Sequence, residues 1–270
     1  MNPEIQYNAN VGWVSELSRE WYTKIIKACK TNAMVNDRKD HIYRVYTWGK
    51  KNFGIPTDAN PAIYMDNLRH EPAETNPFTL EEITKIKIYL NQPDKSKLTY
   101  TETIVANIVL FLFATGMRPQ EMIDLGVSDI VMDDNNIDRL IAIKGSKARE
   151  SGKVSRYLFV TDEISSYIDV ALAHRSTRTS VNNTSLWVSP NGKVIYKAEL
   201  HRLFKNVLRK IGIADKQLYD LRRGCATNII HDPRYGVIIA QKQLGHKDIK
   251  QTMRYENLGK REAARLFKGH

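Results

Sequence analysis

Eleven consecutive residues, Ile104–Ala114, are apolar except for Asn107. This is the longest apolar stretch in the chain, and it is about one helix long. A bilayer span needs roughly 20 such residues, so no transmembrane helix is expected. The spacing instead predicts a helix over about Tyr100–Ala114 that stops at Gly116. A chain of 270 residues, 42% hydrophobic and 26% charged, has enough apolar side chains to bury a core, which excludes a disordered tail. Its length suggests one large domain or two. The first residues carry Glu4, Asn8, Asn10 and Glu16 and show no apolar h-region, so no secretory signal is expected. Cys29 and Cys225 lie far apart without Cys or His neighbours at zinc-ligand spacing. They read as reduced thiols of a cytoplasmic protein.

Helix and turn signals divide the chain. Trp13 to Cys29 reads as a helix, with Trp13, Leu17, Trp21, Ile25 and Ala28 at three- and four-residue spacing. A second helix is expected over about Asp37–Lys51, with Ile42, Val45, Tyr46 and Trp48 on its apolar side. Gly54 and Pro56 end it. Trp13, Trp21 and Trp48 are therefore expected in the core of an N-terminal helical unit. Pro56, Pro61, Pro72 and Pro77 then surround a short helix at about Ala62–Leu68. This gives a helical domain over 1–72, a linker over 73–77 and a second domain over 78–270.

The second domain opens with Thr79-Leu-Glu-Glu82, a capping-box pattern leading into Ile83, Ile86 and Leu90. Pro119 opens a short helix over Gln120–Leu125. The period then changes. Ile137, Leu140, Ala142 and Ile143 lead to a polar turn from Lys144 to Gly152, followed by Val154, Tyr157, Leu158, Phe159 and Val160. That is a β-hairpin with a basic tip. Asp162 is read as the cap of a helix through Ala173, and Leu186–Val188 as a short strand followed by a turn at Ser189–Gly192. Tyr196–Ile211 is an amphipathic helix, and three more follow at about Asp220–Ile230, Tyr235–Leu244 and Ile249–Leu258. The expected class is mainly α with a small antiparallel β-sheet (α+β).

Charge narrows the function. The 41 Lys+Arg exceed the 30 Asp+Glu by a net +11. Residues 1–74 hold 10 basic and 9 acidic residues, so 75–270 carry net +10. Within the first part, Lys24–Lys51 holds 8 basic and 2 acidic residues. Such an excess suits a polyanion, because each neutralised phosphate releases condensed counterions. An acidic membrane surface would satisfy composition equally. The placement in two internal stretches, rather than a tail, favours nucleic acid.

Four motifs stand in order: Thr115-Gly-Met-Arg-Pro-Gln-Glu121, Ile143-Lys-Gly-Ser-Lys147, Leu218-Tyr-Asp-Leu-Arg-Arg-Gly-Cys-Ala-Thr227, and Gln243-Leu-Gly-His-Lys-Asp248 with Thr252-Met-Arg-Tyr255. Alone, each has an ordinary reading as a helix end, a surface arginine or a rim tyrosine. Together, in this order, they resemble the tyrosine recombinases, the phage integrase family. The likeness covers 75–270 by motif order and 11–70 by length and helical character only.

The resemblance places Arg118 as the family's first arginine and Glu121 as its supporting acid. Lys144 matches the catalytic lysine, with Lys147 as backup on the same tip. Tyr219-Asp-Leu-Arg222 matches the His-x-x-Arg box, so Arg222 is the second arginine and Tyr219 replaces the histidine. His246 matches the second His/Trp position, and Tyr255, nine residues later, the nucleophile. A tyrosine at 219 can hydrogen-bond a phosphate. With a reference pKa of about 10 it cannot act as a near-neutral base as histidine does.

The chemistry suits these residue types. A phenol oxygen attacking phosphorus spreads negative charge over the non-bridging oxygens, and guanidinium forks meet that charge without titrating. The leaving 5′ oxygen needs a proton, which a hairpin lysine supplies. No Asp/Glu cluster of magnesium-site character accompanies the motifs, so neither a metal nor a cofactor is expected. His41, His70, His174, His201 and His231 show no ligand spacing.

The resemblance implies a site-specific recombinase forming a 3′-phosphotyrosyl intermediate. It also implies double-stranded DNA with specific core sites as partner, a homotetramer acting through a Holliday junction, and accessory DNA-bending proteins. Lys24, Lys27, Lys30, Lys39, Arg44, Lys50 and Lys51 are the candidate phosphate contacts of the N-terminal domain. Mobile-element integrases and chromosomal dimer resolvases share these motifs, and Tyr219 leans toward the former by analogy. Two other readings stand beside this one: a type IB topoisomerase-like nicking-closing enzyme, and a catalytically silent DNA-binding module.

Overall fold

The computed structural model describes residues 24, 26–57, 60–69, 76–94, 98–144, 153–178, 183–213 and 216–255. The chain divides into two compact units, Met1–Glu74 and Thr75–His270. No helix among the described residues is long and apolar enough to cross a membrane.

The first unit is built on helix α1, Asn32–Phe53. It begins earlier than the apolar spacing indicates, because Thr31 caps it by accepting from the Met34 amide at 3.2 Å. Gly54 ends it in the left-handed region, φ 69°. Val35, Tyr46 and Gly49 are its buried residues. Trp48 and Val45, expected inside, are 55% and 39% exposed. The segment around Leu68 and Arg69 meets the helix through polar side chains. Asn36 donates to the Leu68 carbonyl and accepts from its amide, both at 2.8 Å, and Asn32 donates to the Arg69 carbonyl. The helix expected at Ala62–Leu68 is a single 3₁₀ turn, Pro61–Tyr64, after which the chain returns along α1 through these polar contacts. The expected helix over Trp13–Cys29 lies mostly outside the described residues, with Lys24, Ile26 and Lys27 helical.

The second unit surrounds helix α3. Helix α2, Leu80–Leu90, carries the expected capping box, with Thr79 and Glu82 satisfying each other's backbone amides. A second box, Thr99 with Glu102, starts α3, Tyr100–Thr115. Ile104, Ile108, Phe111 and Leu112 of α3 are at most 3% exposed. A helix apolar all round must be covered all round. Helix α2, α5 (Asp162–Ser176), α6 (Lys197–Lys210) and α7 (Leu218–His231) cover it. At about 1.5–3 kcal/mol for each large side chain fully buried, this helix is a major apolar contribution to the unit.

A short helix α4, Pro119–Ile123, follows α3. The sheet has three antiparallel strands in order, β1 (Ile130–Met132), β2 (Arg139–Lys144) and β3 (Val154–Phe159). Ile141 stands opposite both Ile130 and Leu158. Strand β1 has only three residues, too few for a period to show. Helix α5 is capped by Thr161, not Asp162. Thr161 is extended, φ −74° and ψ 166°, and accepts from the Ile164 amide, which leaves Asp162 as a first-turn acid. In place of the expected strand over 186–188 there are only isolated bridges, Ser185 with Gly126 and Val188 with Val194. Helix α8, Gly236–Leu244, and a last helix α9 over 249–255 complete the described chain.

Candidate active site

The first motif sits where α3 stops. Gly116 takes φ +64°, and its amide closes the helix on the Leu112 carbonyl at 2.9 Å. A Cβ there would lie 2.9 Å from both Cys225 Sγ and Leu244 Cδ2, so this turn needs glycine for conformation and for space. Two residues on, Arg118 is the N-cap of α4. Glu121, in the first turn, accepts from the Arg118 amide at 2.9 Å and from its guanidinium at 2.8 Å. Arg118 is held by one edge only and keeps 40% of its side chain exposed.

Arg222, on α7, is fully buried. It donates to the Gly116 carbonyl and to the Leu244 carbonyl, each at 2.7 Å. Its Nε has no hydrogen-bond partner among the described residues. Burial, then the charge of Arg118, lowers its pKa, though a guanidinium stays charged throughout the physiological range. One side chain therefore ties together the Thr-Gly turn, α7 and the Leu-Gly-His turn. Gln243 adds a second tie, donating to the Thr115 carbonyl at 3.0 Å.

Gly245 ends α8 at φ +66° and turns the chain into His246. His246 is buried, with Nδ1 2.8 Å from Thr252 Oγ1. Burial, then the charges of Arg222, Arg118 and Arg156, push its pKa down to about 4, so the ring is neutral near pH 7. Tyr255 comes from α9. Its ring lies nearly parallel to that of His246, 19° between planes and 6.1 Å between centroids. It is buried against Ala226, Leu244 and Ile230. Burial, then the neighbouring Tyr219, raises its pKa, while Arg222, Arg223 and Arg118 pull it back. Tyr219 itself stands at the rim, 39% exposed, with the Arg223 guanidinium 5.4 Å from its ring centroid.

Lys144 ends β2, just past a register irregularity between Ile143 and Lys144. Its Nζ lies 2.5 Å from Asp129, a 7%-exposed carboxylate that also accepts from the Gly126 amide. Lys147 lies outside the described residues. The seven N-terminal cations belong to the other unit. Lys39 and Lys50 are engaged there, donating to Asn67 and Thr57. Arg44, Lys51, Lys24, Lys27 and Lys30 are exposed.

Sequence reasoning missed Arg156. It lies on β3 opposite Ile143 and binds Glu121 with both terminal nitrogens, at 3.1 and 2.9 Å. The Glu121 carboxyl is held at about 2: burial opposes ionisation, and the Arg156 contacts and charge, then those of Arg118, overcome it. A signal was available. Period two puts Arg156 on the same strand face as Leu158, which is 1% exposed, and away from exposed Tyr157 and Phe159. Asp129 was also missed, and its place in a 3₁₀ turn offers no sequence signal.

Known proteins share this fold. Residues 78–262 match the sequence profile of the phage integrase family. The tyrosine recombinase XerD of Staphylococcus haemolyticus is 22% identical over 214 residues, covering 77% of this chain and 66% of the relative. The tyrosine recombinase XerH of Helicobacter pylori is 24% identical over 236 residues, covering 86% and 59%. The chain thus spans 59–66% of the length of these relatives. Among solved structures, the XerH recombinase bound to a palindromic difH substrate, a post-cleavage complex, superposes with TM-score 0.68 at 18% identity, covering 94% of this chain and 72% of that one. The Tn1549 transposon integrase in complex with circular intermediate DNA gives 0.63 at 16% identity, covering 90% and 80%. With the profile match extending over most of the chain, and with this fold, the protein belongs to the phage integrase family, the tyrosine recombinases.

Proposed function

We propose that this chain is a site-specific DNA recombinase whose nucleophile is Tyr255. The observation that carries the reading is the pair of hydrogen bonds from Arg222 to the Gly116 and Leu244 carbonyls. They gather Arg118, Arg222, His246 and Tyr255, which span 138 positions of sequence, around one guanidinium. Family membership makes strand transfer the chemistry to expect there.

In this reading the Tyr255 oxygen attacks a DNA phosphorus and the deoxyribose 5′ oxygen leaves, giving a 3′-phosphotyrosyl bond. Charge building on the non-bridging oxygens meets the exposed edge of Arg118 and the field of Arg222, the latter strengthened by burial. Neutral His246 is steadied through Nδ1 by Thr252 and offers a hydrogen bond without adding charge. Lys144 delivers the proton to the leaving oxygen, for which its ion pair with Asp129 must open. The phosphotyrosyl bond conserves the energy of the phosphodiester, so religation to a second strand needs no ATP. Strand exchange then passes through a Holliday junction in a tetramer on two core sites, with DNA-bending proteins as helpers, in the cytoplasm on the nucleoid. Lys24, Lys27, Lys30, Arg44 and Lys51 supply phosphate contacts from the first unit. Lys39 and Lys50 contribute charge from their places beside Asn67 and Thr57.

The test is covalent trapping. Wild type and Tyr255→Phe are incubated with nicked suicide duplexes covering the gene's own genomic flanks, in EDTA. A denaturation-resistant DNA–protein adduct that disappears with Tyr255→Phe is the expected result. DNA binding without an adduct on any flank would leave a silent binding module. Sequence-independent relaxation of supercoils by a monomer would point to a nicking-closing enzyme.

A further inference from the structure

Two arginines reach Glu121, and they are placed very differently. Arg118 spends one nitrogen on the carboxylate and stays 40% exposed. Arg156 spends both terminal nitrogens on it and is 13% exposed. The fork edge of Arg156, the part that grips an anion, is used up. Its Nε is buried without a hydrogen-bond partner among the described residues. Arg156 therefore does not present a donor edge to DNA, and Arg118 does.

Arg156 also lies across the Leu-Gly-His turn. A Cβ on Gly245 would come within 2.6 Å of Arg156 Cδ, 2.8 Å of its Nε and 2.9 Å of one terminal nitrogen. The missing side chain of Gly245 is the space the arginine occupies. So Arg222 and Gln243 join the first and last motifs through backbone carbonyls, and Arg156 joins them once more through Glu121 and Gly245.

We propose that Arg156 is a positioning residue of this site: by saturating Glu121 from above Gly245, it keeps the carboxylate from closing on the fork edge of Arg118 and holds that edge free for a phosphate. This rests on the recombinase reading. The physical ground is competition for one anion. Glu121 offers two oxygens, each already accepting from one nitrogen of Arg118 and one of Arg156. With Arg156 gone, the strongest arrangement left is a bidentate Arg118–Glu121 pair, which masks the donors that a phosphate would use.

The experiment compares wild type, Arg156→Met, Arg156→Lys, Glu121→Gln and Arg156→Met/Glu121→Gln. Methionine keeps an unbranched stem over Gly245. Single-turnover adduct formation and DNA affinity are measured on the same suicide duplex, with Tyr255→Phe as blank. Arg156→Met is expected to slow cleavage at least thirtyfold with affinity within threefold. Lysine should restore part of the rate. Adding Glu121→Gln to Arg156→Met should cost less than a further threefold, because the competing carboxylate is gone. Cleavage by Arg156→Met at wild-type speed would overturn the proposal. So would full additivity of the two changes, which would make Arg156 act on DNA directly.

A second readout needs no activity. His246 faces Arg222 of α7, Arg118 ahead of α4, Arg156 of β3, and Thr252 and Tyr255 of α9. Histidine NMR titration of the DNA-free protein should place its pKa near 4 in wild type and higher in Arg156→Met. An unchanged value would count against the placement of Arg156 over this turn. If wild type forms no Tyr255-dependent adduct, the recombinase reading fails, and the titration still decides whether Arg156 sits where the proposal needs it.

Discussion

Glu121→Gln removes the one negative charge between two guanidiniums, and its cost follows from the site. The carboxyl titrates at about 2 in the folded protein against 4.5 for the unperturbed group. A gap of about 2.5 in pKa is about 3 kcal/mol of stability. The side chain is 14% exposed, so solvent screening removes little of this. The folded value lies below the unfolded one. The stabilisation is therefore complete above about pH 4.5 and is lost as pH falls toward 2. By linkage, about 2 kcal/mol of it goes between pH 7 and pH 3. Glutamine has no such titration. Urea unfolding of both proteins by circular dichroism, across that range, should show the variant about 3 kcal/mol weaker at pH 7 and only about 1 kcal/mol weaker at pH 3. Parallel curves would refute the reasoning, since they would mean that Glu121 is not held as an anion by Arg156 and Arg118.

Lys144→Ala should slow cleavage of ordinary DNA by about 10² to 10⁴, and a duplex with sulfur at the bridging 5′ position should restore the rate, because a thiolate leaves without a proton. If Lys147→Ala shows that rescue instead, the proton donor is Lys147. Gly116→Ala should destabilise by roughly 2–3 kcal/mol, combining left-handed strain with contacts at 2.9 Å to Cys225 and Leu244; an unchanged urea midpoint would contradict this. His246 should stay neutral down to about pH 4, so cleavage should show no imidazole break between pH 5.5 and 7.5; a break near 6.5 that vanishes in His246→Gln would count against its burial. Lys51→Ala should weaken binding to all sequences alike and reduce the salt slope by about 1, while an effect on one sequence only would make it a base contact.

Much of the fold was legible because its signals are local. The Thr79–Glu82 box, the apolar run of α3 and the glycine stops at 54, 116 and 245 each act within a turn of helix. The hairpin follows from period two. Where the sequence misled, a longer-range partner decided. Trp48 stands at helical spacing from Val45, yet Asn32, Asn36 and Lys39 bring the return segment to a different face of α1. Asp162 looked like a cap because an acid before a helix often is one, but Thr161 had the extended backbone that a cap requires.

The site divides in the same way. By itself, the sequence determined which residue types stand in which order, and that order was enough to expect Arg118, Arg222, His246 and Tyr255 as one constellation. It also determined the turns that aim them, since a left-handed glycine is a property of its own φ and ψ. Tertiary structure alone decided the partners. Arg222 is fully buried on two carbonyls more than twenty residues away in either direction, Lys144 rests on Asp129, and Glu121 is shared between Arg118 and an arginine 35 positions distant. A charge in a chain has no fixed energy until its neighbours and its burial are set. Those are long-range quantities, so the electrostatics of this site belong to the fold rather than to any segment of it.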